Sequence, residues 1–192
     1  MTEETSELYF KNDDDWRKWL HENHSSSKGI HLIFFKVDHK NDSMRWEEAV
    51  KVALCFGWID ATVKSLGNGK RRQYFCKRNP KSAWSALNKK HIQELKTKKL
   101  LHQSGLDSIK IGKQNGAWTA LDTVEKGVVP EDLQIEFDQN KTAFDNYNCF
   151  APSYRKSYLY WLNQAKREVT RKNRITEIIR LCSKNIKSRN TW

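Results

Sequence analysis

The spacing of the apolar residues changes along the chain, and this change restricts the possible folds more than any other feature of the sequence. In the first half, the runs Trp58–Leu66 and Lys70–Arg78 flank Gly67-Asn68-Gly69, which is typical of a β-hairpin. The β-branched and aromatic run Ile30–Val37 predicts a further, buried strand. From Pro130 onward the apolar residues recur only at helical spacing. The sequence therefore predicts an α+β unit with a small, mostly antiparallel three-stranded sheet, followed by an all-helical C-terminal unit.

Helical spacing also predicts the helices and their ends. Asp13, Ser82 and Thr170 are predicted to cap helix N-termini, because their short oxygen-bearing side chains can accept a hydrogen bond from the first turn. Gly57 is predicted to end the second helix in the left-handed conformation. Helices are predicted over residues 13–24, from Asp42 or Ser43 to Gly57, over 82–99, 104–118, 141–150 and 153–166, and from Thr170 onward. The inner stripe of the helix over 82–99 is predicted to be Trp84, Leu87, His91, Ile92 and Leu95.

An acidic segment is predicted to join the two units. Residues 119–129 contain Gly127 and precede Pro130, a combination typical of linkers. The predicted organisation is an α+β unit over residues 1–118, a linker over 119–129 and a helical unit over 130–192.

The charge of the chain is concentrated in two segments. Residues 70–113 carry 13 Lys/Arg against 2 Asp/Glu, and residues 151–192 carry 11 against 2, within a net charge of +12. The remaining segments are acidic, so the basic segments either pack against acids that neutralise them or form a positive surface. A positive surface would attract a polyanion such as nucleic acid, or an anionic membrane surface. This hypothesis requires the two basic segments to come together in space.

The sequence carries no signature of export, of membrane insertion or of a known reaction. The acidic, polar start does not resemble a secretory signal, and the longest apolar stretch, Ala49–Ile59, is interrupted by Lys51. The four cysteines are widely spaced, which is typical of free thiols in a reducing compartment, so we expect a cytoplasmic protein without a transmembrane segment. His21 and His24 share a helix face, but no cysteine or carboxylate pattern completes a metal site. No cofactor and no catalytic residue are predicted, because no phosphate-binding loop, dinucleotide-binding, zinc-protease or serine-hydrolase motif occurs.

Trp58 and Asp60 form the first candidate site. Alternation along the strand places both side chains on one face. A half-buried carboxylate needs donors, and the neighbouring hairpin offers Arg72 and Arg78. The pairing is either a structural ion pair or, if a cleft forms there, a catalytic acid.

Two helix starts form the other candidate sites for an anion. Ser82, Trp84, Ser85 and Asn88 lie near the start of one predicted helix, preceded by the cations Arg78 and Lys81. The free N–H groups of such a start can bind phosphate, although a plain N-cap explains Ser82 equally well. At the last helix, Arg171 and Arg174 are spaced to clamp one anion together, or to form a solvated basic face.

The second strand of the hairpin combines cations with aromatic rings. Alternation places Arg72, Tyr74, Cys76 and Arg78 on one face, and Arg71, Gln73, Phe75 and Lys77 on the other. The run Arg71–Phe75 is either a stacking surface for single-stranded nucleic acid or the wing of a winged-helix-like fold.

Several stretches, spread over nearly the whole chain, match one family in content and order. They are Trp46–Val50, Leu54–Asp60, Arg78–Ser85 with Asn88, Val129–Leu133, Ala165-Lys166 and Thr170–Ile175. Together they resemble the YdeI/OmpD-associated family, also described as bacteriocin-protection proteins. Ala61 and Asn79 depart from the family pattern, which has Gly and a second Arg there. The resemblance implies a link to tolerance of cationic antimicrobial peptides and to an outer-membrane porin, and implies no established reaction.

Three hypotheses for the function follow. The first is a non-catalytic stress or protection protein that binds an anionic partner. The second is an enzyme with a cleft around Trp58, Asp60, Arg78, Ser82 and Trp84. The third is a protein–protein interaction module that docks through its last helices. The oligomeric state is left open.

Overall fold

The computed structural model of the protein describes residues 6–189, and the chain divides after Thr119 into two compact units. The first unit contains a sheet and four helices, and the second contains helices. The strands are β1 (Glu7–Tyr9), β2 (Gly29–Phe35), β3 (Trp58–Gly67) and β4 (Lys70–Lys77). The helices are α1 (Asp13–Asn23), α2 (Trp46–Cys55), α3 (Ala86–Thr97), α4 (Gln103–Gln114), α5 (Asp122–Glu125), α6 (Glu131–Asp138), α7 (Lys141–Cys149), α8 (Pro152–Asn163) and α9 (Glu168–Ser183). The α+β class is confirmed.

The sheet has four strands rather than the predicted three, and it is mixed rather than antiparallel throughout. Its order is β1-β2-β4-β3; β1 runs parallel to β2, and the other pairs are antiparallel. The sequence analysis missed β1 because three residues are too few to show alternation. The pairing that holds β1 is also not local, since Glu7 lies opposite His31.

The β3–β4 hairpin and the two faces of β4 were predicted correctly. Gly67, Asn68 and Gly69 all have positive φ, at 79°, 48° and 71°, as the tight connection requires. Phe75 is fully buried and Gln73 nearly so, on the face of the sheet that the helices cover.

The helix starts of the first unit differ from the predictions. Asn12, not Asp13, caps α1, because its Oδ1 accepts the Asp15 N–H at 2.9 Å. Helix α2 begins with Arg45 as N-cap, not with Asp42 or Ser43, and its end at Gly57, with φ of 72°, is confirmed. Helix α3 begins three residues later than predicted, with Ser85 in place of Ser82 as N-cap.

The core of the first unit is built around aromatic rings. Trp16 is fully buried, packs edge-on against Trp58 and Phe75, and donates its indole N–H to the Ala49 carbonyl at 3.1 Å. These contacts join α1, α2 and the sheet into one hydrophobic core. Leu87 was wrongly placed in this core: it is 46% exposed, in the first turn of α3.

The second unit has its own core, formed by one face of each of its helices. Leu133, Phe137, Tyr147, Leu162 and Ile178 are among its fully buried members. The segment predicted as a linker contains α5, whose Val124 is buried in this core. Thr170 does not cap α9, since the helix already begins at Glu168 with Arg167 as N-cap. Among residues 6–189, no helix combines the length and the apolarity that crossing a bilayer needs.

Candidate functional site

Asp60 does not pair with the arginines that the sequence offered. Its Oδ2 accepts the Trp46 indole N–H at 3.0 Å and the Gln73 side-chain amide at 2.5 Å. Arg72 instead forms an ion pair with Glu7, at 2.7 Å, on the strand that was missed. The Asp60 carboxylate therefore joins the start of α2 to β3 through Trp46, and β3 to β4 through Gln73.

Arg78 stacks on Trp84 instead of pairing with Asp60. The guanidinium carbon lies 3.8 Å from the centre of a Trp84 ring, and Nη2 donates to the Ser82 and Ala83 carbonyls at 3.2 and 2.6 Å. Burial lowers the pKa of Arg78 to about 10, which leaves the side chain charged at neutral pH. The bonds hold residues 78–84 in a loop with a turn at Asn79–Ser82, and α3 begins only after it.

The start of α3 gathers only part of the predicted anion site. Ser85 Oγ accepts the Asn88 N–H at 3.2 Å, so one free N–H of the first turn is already satisfied. Lys81 is exposed, and its backbone N–H donates to Asn79 Oδ1 at 2.9 Å. Ser82 offers its carbonyl to Arg78 rather than its hydroxyl to the helix. The residues predicted to bind one anion together instead stabilise the loop before α3 and cap that helix.

The predicted Arg171–Arg174 clamp does not form, because each arginine has a different partner. Arg171 binds Asp132 through Nε at 2.5 Å and Nη2 at 2.8 Å, in the bidentate geometry that favours carboxylates. Arg174 Nη1 donates to the Trp161 carbonyl at 2.5 Å, and its guanidinium lies over the Trp161 ring at 5.0 Å. Both cations therefore join helices of the second unit.

The Asp132–Arg171 pair gives the second unit a pH-dependent contribution to stability. The hydrogen bond from Arg171 holds the pKa of Asp132 below its usual 3.8, so the pair stabilises the fold above that pH and is lost as the pH falls further. Because both side chains are partly exposed, we expect Asp132→Asn to lower the free energy of unfolding by only about 0.5–1 kcal/mol near neutral pH. In urea denaturation the difference should shrink as the pH falls below 3.8 and through the lowered pKa of Asp132. A difference that does not shrink there, or one equally large for exposed Glu131→Gln, would contradict the assignment.

The side chains of the proposed enzyme cleft do not line one cavity. A cavity of about 340 Å³ is lined by Trp58 and Arg78, together with Asp107 and Ser108, but not by Asp60, Ser82 or Trp84. Trp58 is fully buried, and its indole N–H donates to the His24 carbonyl at 3.1 Å. Of the residues in the enzyme hypothesis, only Trp58 and Arg78 therefore share this cavity.

A larger cavity than this one lies elsewhere in the first unit. It has a volume of about 670 Å³ and opens between the β3–β4 hairpin, the residues after β2 and the start of α2. Four cations line it: Lys36, Arg45, Lys70 and Arg71. We call this cavity the basic groove. Its lining contains no carboxylate, histidine or thiol, and none of the four cations forms an ion pair with a carboxylate of residues 6–189.

The local fold brings these four cations together. The Lys36 N–H donates to the Gly69 carbonyl at 2.9 Å, which holds the end of β2 beside the hairpin. The start of α2 is fixed by the Trp46–Asp60 hydrogen bond, and the Arg45 N–H donates to the Glu48 carboxylate at 2.7 Å.

Much of the remaining lining of the groove is apolar. Phe34 and Met44 are buried, Trp46 is half-buried, and the Arg71 guanidinium lies over the Phe34 ring at 5.4 Å. Aromatic and aliphatic walls with convergent charged groups are typical of ligand pockets. The groove therefore suits an anion that also carries an apolar or aromatic part.

Sequence analysis missed a histidine cluster beside a third cavity, of about 530 Å³. The His102 ring lies 4.8 Å from the His24 ring and 6.1 Å from the His21 ring, and it stacks on Phe56 at 5.1 Å. His21 and His24 were predicted to share one face of a helix, but His102 is remote from them in sequence. Among residues 6–189, no group of three or more His, Cys, Asp or Glu side chains is arranged to hold a metal ion.

His102 is expected to make the first unit less stable in mild acid. Its Nδ1 accepts the Ser104 N–H at 3.3 Å as the cap of α4. Burial first, and then the nearby His24 and His21, lower the pKa of His102 below its usual 6.5. The contribution of neutral His102 to stability is therefore fully present above about pH 6.5 and is lost as the pH falls through the lowered pKa. In urea denaturation between about pH 7 and pH 5, the loss of stability should be smaller in His102→Asn, which keeps a capping side chain but cannot be protonated in this range. Equal losses in the two proteins would contradict this role.

Comparison with known protein families gives two matches. The model of a domain of unknown function, DUF8412, matches residues 8–108, more than half of the chain. The chain therefore belongs to this family, whose description assigns no activity. Residues 126–185 match the model described as "Bacteriocin-protection, YdeI or OmpD-Associated", which confirms the resemblance for the second unit. The N-terminal stretches of that resemblance, Trp46–Val50, Leu54–Asp60 and Arg78–Ser85, fall within the DUF8412 match instead. No curated protein and no solved structure matches the chain.

Proposed function

We propose that the protein binds an anionic partner in the basic groove without catalysing a reaction, and that this binding serves a cytoplasmic stress response, including protection against antimicrobial peptides. The observation that carries the proposal is the lining of the groove, which joins Lys36, Arg45, Lys70 and Arg71 and contains no acid. Cations without carboxylate partners attract anions at long range and can bind them directly.

The chemistry of the groove favours binding over catalysis. General acid–base and nucleophilic catalysis depend mainly on carboxylates, histidines, thiols or an activated hydroxyl. The lining offers only Ser65 and the amines of Lys36 and Lys70 for such roles, and it contains no carboxylate, histidine or thiol that could act with them. The protective role rests on the family description matched by residues 126–185, which names bacteriocin protection for that family.

Salt-dependent binding tests the proposal. The full-length protein is titrated with a heparin fragment and with nucleic acid at several salt concentrations. We expect the logarithm of the affinity to fall linearly with the logarithm of the salt concentration, because bound cations are released from the polyanion. Affinity that is absent, or that does not respond to salt, would contradict the proposal.

A survival assay tests the protective role separately. A strain that lacks the protein should become more sensitive to a cationic antimicrobial peptide, and the wild-type gene should restore tolerance. Tolerance that does not depend on the gene would refute the protective role and leave anion binding to be judged by titration.

A further inference from the structure

Within residues 6–119, the helices pack on one face of the sheet and leave the other face without a helix. The helices pack on the face that carries Leu32, Phe34 and Phe75, all members of the first hydrophobic core. The opposite face, here called the outer face, carries the alternate residues of the strands. It includes Tyr9 of β1, which is 43% exposed, and the half-buried Tyr74 of β4.

Aromatic rings lie side by side on the outer face. Tyr9 packs edge-on against Phe35 at 5.5 Å, and Tyr74 lies 5.1 Å from His31, directly opposite it in the sheet. Tyr74 extends over the backbone of Gly29, where an added Cβ would lie only 2.1 Å from its hydroxyl oxygen. The glycine thus lets the Tyr74 ring lie flat along β2.

Cations accompany these rings. Lys64 lies opposite Arg72, and Lys70 lies opposite Phe35, so all of them share the outer face. Glu7 is an acid on this face and is paired with Arg72 at 2.7 Å. Lys70 and Phe35 also line the basic groove, so the outer face and the groove adjoin at the end of the hairpin.

We propose that the outer face binds single-stranded nucleic acid, with bases stacked on Tyr74 and Tyr9 and phosphates held by Lys70 and the basic groove. Bases of a single strand present free ring faces, whereas those of a duplex are already stacked on each other. The positive charge beside the rings complements the phosphate backbone. This inference rests on the proposed anion binding and adds the chemical class of the partner.

Comparison of a base-bearing and a base-free polyanion tests the inference. A short labelled oligothymidylate, the corresponding duplex and a heparin fragment are titrated against the full-length wild type and against Tyr74→Leu, Tyr9→Leu and Tyr74→Phe. Each leucine variant should weaken oligothymidylate binding by about 5- to 100-fold, because base–aromatic stacking is lost. Heparin affinity should stay within about twofold, since heparin has no bases to stack. Tyr74→Phe keeps the ring and should bind as the wild type does.

The outcomes separate the two proposals. Oligothymidylate binding that is no tighter than duplex binding, or that both leucine variants leave unchanged, would overturn the nucleic-acid inference while salt-dependent heparin binding persists. Loss of heparin and oligothymidylate affinity to the same degree would also overturn it, provided that circular dichroism shows a folded variant. Should Tyr74→Leu fail to fold, Tyr9→Leu decides, because that side chain is more exposed. Absence of binding to every polyanion would instead refute the proposed function itself.

Discussion

Replacement of Trp58 by alanine is expected to lower the free energy of unfolding by about 3–5 kcal/mol, the range for removal of a large aromatic residue from a core. Trp58 is fully buried and packs edge-on against Trp16 and Trp19 at 6.4 and 5.9 Å. Its loss would also leave the His24 carbonyl without the indole donor. Urea denaturation of the full-length protein measures the change.

Two further variants sharpen this result. Trp58→Phe retains a ring but loses the hydrogen bond, so we expect an intermediate loss of stability. Leu87→Ala removes an exposed side chain from α3 and should change the free energy of unfolding by less than about 0.5 kcal/mol. A stable Trp58→Ala protein that had lost only its affinity for anions would show that Trp58 is a ligand-binding residue, as the sequence had also allowed.

The double variant Lys70→Gln/Arg71→Gln is expected to weaken polyanion binding by about 10- to 100-fold at low salt. Both residues line the basic groove, and glutamine retains much of the side-chain length while removing the charge. The slope of log affinity against log salt should fall by about 2, because each lost phosphate contact releases about one counterion fewer. Fluorescence anisotropy with a labelled oligonucleotide measures both quantities.

A matched control separates the groove from general charge. Lys96→Gln/Lys98→Gln removes the same charge from the same basic segment, but these exposed lysines lie at the end of α3 and do not line the groove. We expect the control to change affinity by less than about threefold through long-range electrostatics alone. Equal effects of the two double variants would mean that net charge, not the groove, determines binding.

Sequence patterns predicted the features that depend on local interactions. The β3–β4 hairpin follows from its glycines and asparagine, and the stop of α2 follows from Gly57, whose positive φ is accessible without strain. The predicted N-caps were less accurate, because two residues that can cap a helix lie one to three positions apart at the starts of α1 and α3. Asn12 caps α1 in place of Asp13, and Ser85 caps α3 in place of Ser82.

The ion-pair and hydrogen-bond partners of the charged side chains could not be predicted from the sequence, because they depend on contacts between distant segments. Arg72 was matched with Asp60 by charge, but the missed strand β1 supplies Glu7. Asp60 is then satisfied by Trp46 and Gln73, two uncharged donors that charge matching does not consider. The basic groove was missed for the same reason, since Lys36 and Arg45 lie outside the segment whose positive charge attracted attention.

The basic segment did point to part of the site. Lys70 and Arg71 begin the segment of residues 70–113, and the turn glycines place them at the turn end of the hairpin. Other cations of the same segment, such as Arg78, are used within the fold. The density of positive charge along the sequence therefore indicated the part of the chain that contains the site. The hydrogen bonds and stacking contacts show which cations of that part stabilise the fold instead.

The most direct test of the basic groove is a heteronuclear NMR titration of the full-length protein with inorganic tripolyphosphate. If the groove binds the anion, the largest chemical-shift changes will occur at the amides of Lys36, Lys70 and Arg71 and at the Trp46 indole N–H, and they will saturate together. Changes that centre on Lys96 and Lys98, or that spread evenly over the lysine-rich helices without saturating, would contradict the account.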